Sequence, residues 1–138
     1  MKSVTSTLLI DDDKFTSFYN EKIVKKHNKF GEIISLNSGK AALEYLEEAI
    51  AGKALKPDVI FLDINMPAMN GWEFIEAYKE LDAKFTDDIK IIMLTTSSNP
   101  KDKERSQTLN EITDYINKPL SLSILDNIIE DLIPCKTS

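Results

Sequence analysis

Several residue types are nearly missing from this chain, and each scarcity closes a route. One residue of 138 is cysteine, Cys135, so neither an intrachain disulfide nor a thiolate metal site can be built. The one histidine, His27, excludes a multi-histidine zinc centre. Flanked by Lys25, Lys26 and Lys29, it reads as a solvated helix-end residue. With 4 glycines and 5 prolines, all scattered, there is no low-complexity stretch or linker. Long apolar runs are lacking too. None approaches the roughly 20 residues of a membrane span, and the N-terminal apolar stretch runs straight into three aspartates, so no secretory leader is expected. The expectation is a cytoplasmic protein with no membrane contact. An excess of positive charge is also absent. The net charge of −6 repels phosphate backbones and argues against nucleic acid as a partner.

What is present has the makings of one globular domain, with 42% hydrophobic and 29% charged residues. Its most informative feature is a pair of apolar runs that both end in aspartate: Leu8-Leu9-Ile10-Asp11-Asp12 and Val59-Ile60-Phe61-Leu62-Asp63. Runs of this length bounded by turn residues are buried parallel strands. Aspartate is disfavoured inside strands and costly to desolvate, so two such endings suggest convergence on something cationic.

Strand and helix signals alternate along the chain. The first strand spans Val4 to Ile10. Phe15, Phe18, Tyr19 and Ile23 then recur at helical spacing and predict a helix from Lys14 to His27. A strand follows from Phe30 to Leu36. Ser38 caps a second helix with an apolar face of Ala42, Tyr45, Leu46, Ala49 and Ile50, closed by Gly52. The third strand is Asp58 to Leu62. Asn70, with Glu73 three residues on, opens a third helix through a capping box. The fourth strand is Lys90 to Leu94. Asn99-Pro100 opens a fourth helix running to Asn110, with little apolar stripe. The fifth strand is Thr113 to Asn117, and a fifth helix follows, capped by Ser121 and ended by Pro134. Five βα units imply a mostly parallel sheet covered on both faces. Right-handed crossovers put every strand's C-terminal end on one edge.

At that edge stand Asp11 and Asp12 after the first strand, Asp63 after the third, Thr95 and Thr96 after the fourth, and Lys118-Pro119 after the fifth. Clustered carboxylates resist ionising together. A hard divalent cation such as Mg²⁺ relieves that repulsion and, keeping several waters, leaves room for a phosphate. Lys118 offers a point charge for phosphoryl oxygens and Thr95 a hydroxyl donor.

The segments Leu9-Ile10-Asp11-Asp12, Leu62-Asp63-Ile64-Asn65-Met66-Pro67-Ala68-Met69-Asn70-Gly71, Met93-Leu94-Thr95 and Tyr115-Ile116-Asn117-Lys118-Pro119 together resemble the receiver domain of two-component response regulators, over nearly the whole chain. The resemblance implies a flavodoxin-like (βα)5 fold, doubly wound around a five-stranded parallel sheet of order 2-1-3-4-5. It implies a single chemotaxis-type receiver domain over residues 1–138, with a core from about 4 to 133 and no output domain. Asp63 would be the phosphoacceptor, taking a phosphoryl group from a histidine kinase or phosphotransfer protein. Mg²⁺ would be held by Asp12, Asp63 and the backbone carbonyl of Asn65, with Asp11 acting mainly through water. Lys118 would contact a phosphoryl oxygen. Thr95 would move to bond the phosphoryl group while Tyr115 swings inward. The Lys118-Pro119 peptide would be cis. The face built by the fourth helix, fifth strand and fifth helix, with Lys101, Lys103 and Arg105, would meet a downstream protein. Such a protein is not an enzyme toward a separate substrate, because it catalyses only its own phosphorylation and dephosphorylation.

Three residues depart from the commonest family pattern. Thr96 stands where a small residue is usual and would narrow access to Asp63. Asn70 replaces an aspartate cap conservatively. Asp13 adds an acid that fits first-turn helix charge better than a ligand role. Two rival readings stand beside the phosphoacceptor. One is a receiver-like module that docks without being phosphorylated. The other is a phosphatase of the haloacid-dehalogenase type using Asp11, whose Asp-x-Asp-x-Thr/Val pattern is broken here by Phe15.

Overall fold

A computed structural model describes residues 3–96 and 99–132, with nothing described of the Leu132 side chain. The expectations placed on Pro134 and Cys135 lie outside the described residues. The elements are β1 (Val4–Ile10), α1 (Lys14–His27), β2 (Phe30–Leu36), α2 (Gly39–Ile50), β3 (Val59–Asp63), α3 (Gly71–Tyr78), α4 (Ala83–Thr86), β4 (Lys90–Thr95), α5 (Pro100–Gln107), β5 (Ile112–Asn117) and α6 (Leu122–Leu132). The five strands form one sheet in the order β2-β1-β3-β4-β5, and every adjacent pair is parallel.

The period of two along the strands sorts the apolar side chains into two cores. Leu8, Ile10, Ile60, Leu62, Ile91 and Met93 face one side, against α2 and α3 through Ala42, Leu46, Trp72, Phe74 and Ile75. Leu9, Val59, Phe61, Ile92 and Leu94 face the other, against α1 and α6 through Val24, Leu125, Ile128 and Ile129. All five residues of β3 are buried, as expected of a strand covered on both faces.

Helix ends follow local chemistry. Asn70 and Glu73 form the capping box reciprocally, with bonds of 3.0 and 2.9 Å. Pro100 occupies the first turn of α5 behind the Asn99 cap. Gly52, at φ 80°, closes α2. Its N–H donates to the Ala49 carbonyl, and the Lys53 N–H to that of Glu48, a two-bond closure that requires the left-handed conformation.

Several expectations are corrected. The extra turn α4 has no counterpart in the five-helix reading. Asp82 caps it, no residue in it is buried, and so no apolar periodicity announced it. Hence the predicted fourth and fifth helices are α5 and α6. α5 ends at Gln107, short of Asn110. In α1 three members of the expected apolar stripe point outward, Phe15, Phe18 and Tyr19 being 88%, 64% and 42% exposed, while Ile23 packs against the α1–α6 side core and Asn20 and Val24 are buried. Ile50 is likewise exposed, lying at the last position of α2. His27 is not solvated. Its ring is 5% exposed, its Nε2 lies 2.7 Å from Asp126 of α6, and it meets Phe30 edge-on at 5.3 Å. A lysine-rich sequence neighbourhood describes the helix surface, but His27 occupies the seam between α1 and α6.

Candidate functional site

The sheet's C-terminal edge brings together side chains from three strand exits. Asp11 and Asp63 are buried, at 4% and 5% exposure, and Asp12 is exposed beside them. One carboxylate oxygen from each of the three falls within 4.8 Å of the others. Lys118 reaches across from the end of β5. Its Nζ donates to Asp11 Oδ2 at 2.8 Å and to Asp63 Oδ1 at 3.1 Å. The loop carrying that lysine is pinned to β4 by the Lys118 N–H, 2.7 Å from the Thr95 carbonyl. The Lys118–Pro119 peptide is cis.

Local chemistry explains how the carboxylates are held. The Asp13 N–H donates to Asp11 Oδ1 at 2.9 Å. Asp13 itself caps α1, accepting from the Phe15 N–H and, at 2.7 Å, from the Thr16 hydroxyl. The Thr16 bond, more than any other contact, holds its carboxyl below the ordinary range. Behind Asp63, Gly71 starts α3 so close to the β3 exit that an added Cβ would meet Ile64 Cα at 2.9 Å and the Asp63 carbonyl at 3.0 Å. Between them Ala68 sits at φ 65°, a conformation that an L side chain adopts at some cost.

One ammonium shared by two buried carboxylates leaves the edge short of positive charge. Burial raises the Asp63 carboxyl above its ordinary value, and the Asp11 charge raises it further, against the opposing pull of Lys118 and the Asn65 N–H. Burial alone would lower the Lys118 ammonium. Its hydrogen bond to Asp11 and the charges of Asp63 and Asp11 outweigh that and leave it raised. Three carboxylates and one ammonium, two of the acids buried, are a donor set that suits a hard divalent ion with oxygen ligands.

The remaining predicted residues take different positions. Thr95 is fully buried at the end of β4. Thr96 is exposed and lines a cavity of about 450 Å³ with Phe15, Tyr19, Asn20, Lys118 and Pro119. Tyr115 is partly buried. It packs against the α2–α3 side core, and its hydroxyl is buried. Burial and the Asp102 charge raise that phenol, with Thr95 acting against them. Lys101, Lys103 and Arg105 are all exposed, and the Arg105 guanidinium lies 4.6 Å over the Trp72 ring.

Sequence reasoning missed three long-range ties, two of them near this edge and one, at His27, toward the opposite end of the sheet. The Tyr19 hydroxyl donates to the Leu120 carbonyl at 3.0 Å, His27 pairs with Asp126, and Arg105 covers Trp72. Each joins residues far apart in the chain, and none carries a local motif.

A five-stranded parallel sheet with acids and a lysine at its C-terminal edge defines a doubly wound α/β domain with an acidic ligand-edge site. The comparisons with known proteins give its family. The description "Response regulator receiver domain" matches residues 7–130, and the chain belongs to that family, the receiver domain of two-component systems. A two component response regulator from Cytophaga hutchinsonii has a similar structure. It is 33% identical with a TM-score of 0.86, over 94% of this chain and 96% of that one. The Mn²⁺-bound form of response regulator Rcp1 is 26% identical with a TM-score of 0.76, over 95% and 99% of the two chains. A probable methanogenesis regulatory protein, FilR2, from Methanothrix harundinacea is 29% identical over 125 residues, covering 91% of this chain and 79% of that protein. Other curated relatives are longer, and the chain spans 50% and 27% of two of them. No helix among the described residues is long and apolar enough to cross a membrane.

Proposed function

We propose that this chain is a phosphorylation-driven signalling switch, with Asp63 as phosphoacceptor. The observation that carries this reading is the Lys118 ammonium bridging Asp11 and Asp63 beside a third carboxylate. A carboxylate oxygen of Asp63 attacks the phosphorus of a phosphohistidine on a histidine kinase or phosphotransfer protein. The P–N bond breaks, and its electron pair leaves with the imidazole. Hydrolysis of the resulting acyl phosphate by water restores Asp63 and releases inorganic phosphate.

Asp12, Asp63 and the Asn65 carbonyl would hold Mg²⁺, with Asp11 behind them, and the ion would supply charge neutralisation for the phosphoryl oxygens. Lys118 exchanges its Asp63 contact for a phosphoryl oxygen. Positioning and fixed charge do most of the work in such transfers. The phosphatase reading is disfavoured by Phe15, which breaks its Asp-x-Asp-x-Thr/Val pattern.

Phosphodonor and target would use different surfaces. Phe15, Phe18 and Tyr19 project from α1 beside the cavity that Lys118 and Thr96 line, which suits an apolar contact with the phosphodonor. Thr96 on that rim limits how closely the donor approaches. The α5–β5–α6 face would carry the output, through Thr95 moving toward the phosphoryl group. Tyr115, whose hydroxyl is buried at that face, would shift with Thr95.

Incubation with a small acyl phosphate and Mg²⁺, followed by intact-mass measurement, tests the reading. The parent chain should gain one phosphoryl group and Asp63→Asn none. A parent that gains nothing would leave the docking-module reading in place.

A further inference from the structure

Lys118 has to be placed closely, since its ammonium serves two carboxylates and must also meet a phosphoryl oxygen. The segment that carries it leaves β5 at Asn117 and turns into α6 at Leu122. On the strand side it is pinned by the Lys118 N–H bond to Thr95. Leu120 plugs its side chain into the α1–α6 side core with no exposure. Its carbonyl, two residues beyond the lysine, accepts from the Tyr19 hydroxyl at 3.0 Å. Tyr19 belongs to α1, 101 residues away in the chain. Its ring, 42% exposed, forms part of the cavity wall shared with Lys118. The lysine's loop is therefore held from two sides, by β4 and by α1.

We propose that Tyr19 is a positioning residue for phosphoryl transfer: by holding the Leu120 carbonyl, its hydroxyl sets the loop that aims Lys118 at the phosphoryl oxygen. The proposal rests on Asp63 being the phosphoacceptor. Small displacements of a charged group at a reacting centre have large effects on rate, and one hydrogen bond governs a displacement of that kind here. Tyr19 also lies on the exposed aromatic face of α1, so pressure from a docked donor on its ring would pass to Lys118 through that bond.

The Mg²⁺ site and the phosphoryl site separate this role from simple stabilisation. Mg²⁺ would be held by Asp12, Asp63 and the Asn65 carbonyl, with Asp11 behind them, none of which is hydrogen-bonded to Tyr19. A phosphoryl analogue such as trifluoroberyllate additionally needs Lys118. In Tyr19→Phe, which keeps the ring and removes the hydroxyl, Mg²⁺ affinity should stay level or tighten. Trifluoroberyllate binding and the rate of phosphorylation by a small acyl phosphate should each fall about threefold to tenfold. Tyr45→Phe is the matched control, because Tyr45 on α2 makes the same kind of bond, hydroxyl to the Leu55 carbonyl, at 2.5 Å. It should leave all three measurements at the parent's values. Equal trifluoroberyllate affinity in Tyr19→Phe and a phosphorylatable parent would overturn the proposal while leaving Asp63 in its role. Parallel loss of Mg²⁺ and trifluoroberyllate affinity in Tyr19→Phe would also overturn it, since that marks a structural tie. A parent that neither binds trifluoroberyllate nor gains a phosphoryl group would overturn both the proposal and the reading beneath it.

Discussion

Helices α1 and α5 border the same carboxylate edge from opposite faces of the sheet, and they are secured in opposite ways. α1 sends its large aromatics outward and is fastened by polar ties at both ends, Tyr19 to Leu120 and His27 to Asp126. α5 has one buried residue, Ser106, and lays the guanidinium of Arg105 over Trp72 of α3. The difference teaches that exposed apolar surface and weak attachment are separate properties. α1 is a fixed element with a sticky face, fit for contact. α5 is a polar element on a slight footing, fit for movement, since segments with few buried apolar contacts open at low free energy.

The largest test of that contrast sets a buried aromatic against an exposed one. Trp72→Ala removes the buried platform under α5 and should cost about 3–5 kcal/mol in urea unfolding. Phe18→Ala, on the outward face of α1, should change stability by less than about 0.5 kcal/mol despite removing a ring of similar kind. Comparable losses would erase the distinction between the two helices. Arg105→Ala should cost about 0.5–1 kcal/mol, with faster amide exchange confined to α5. Equal acceleration in α1 would show that the stack does not hold α5 in particular.

The mildest effect lies at the edge itself, where Lys118 already offsets part of the repulsion. The Asp63 carboxyl is raised on folding, so the folded chain keeps a proton that the unfolded chain has released. The stability this contributes is complete below the unfolded carboxyl value of about 4 and is lost as pH rises through the folded value. Metal-free protein should therefore lose some melting temperature across that acidic window. Asp63→Asn should remove this share of the slope, and an unchanged slope in the variant would sink the assignment.

The sheet was legible because its strands are short apolar runs with turn residues at their ends. β1 and β2 coincide with the segments read from sequence, and the predicted order 2-1-3-4-5 is the order found. The asparagine and serine caps were legible for the same local reason. The orientation of α1 was not. Phe15, Phe18 and Tyr19 have helical spacing whether they face a core or a partner, and burying Asn20 in their place depends on tertiary packing. His27 was misread because its environment is set by Asp126 and Phe30, not by the adjacent lysines. At the edge, the spacing of strand endings predicted that Asp11, Asp12, Asp63 and Lys118 would gather. It carried no information on how Lys118 divides itself between two acids, or on the burial of the Tyr115 hydroxyl.

The most direct test locates the phosphoryl group. Protein treated with a small acyl phosphate and Mg²⁺ is reduced with borohydride, which converts an aspartyl phosphate to homoserine, and the modified residue is mapped by peptide mass spectrometry. The account predicts homoserine at position 63 alone, with none formed when Mg²⁺ is withheld. Homoserine at position 11, or at neither position, would contradict it.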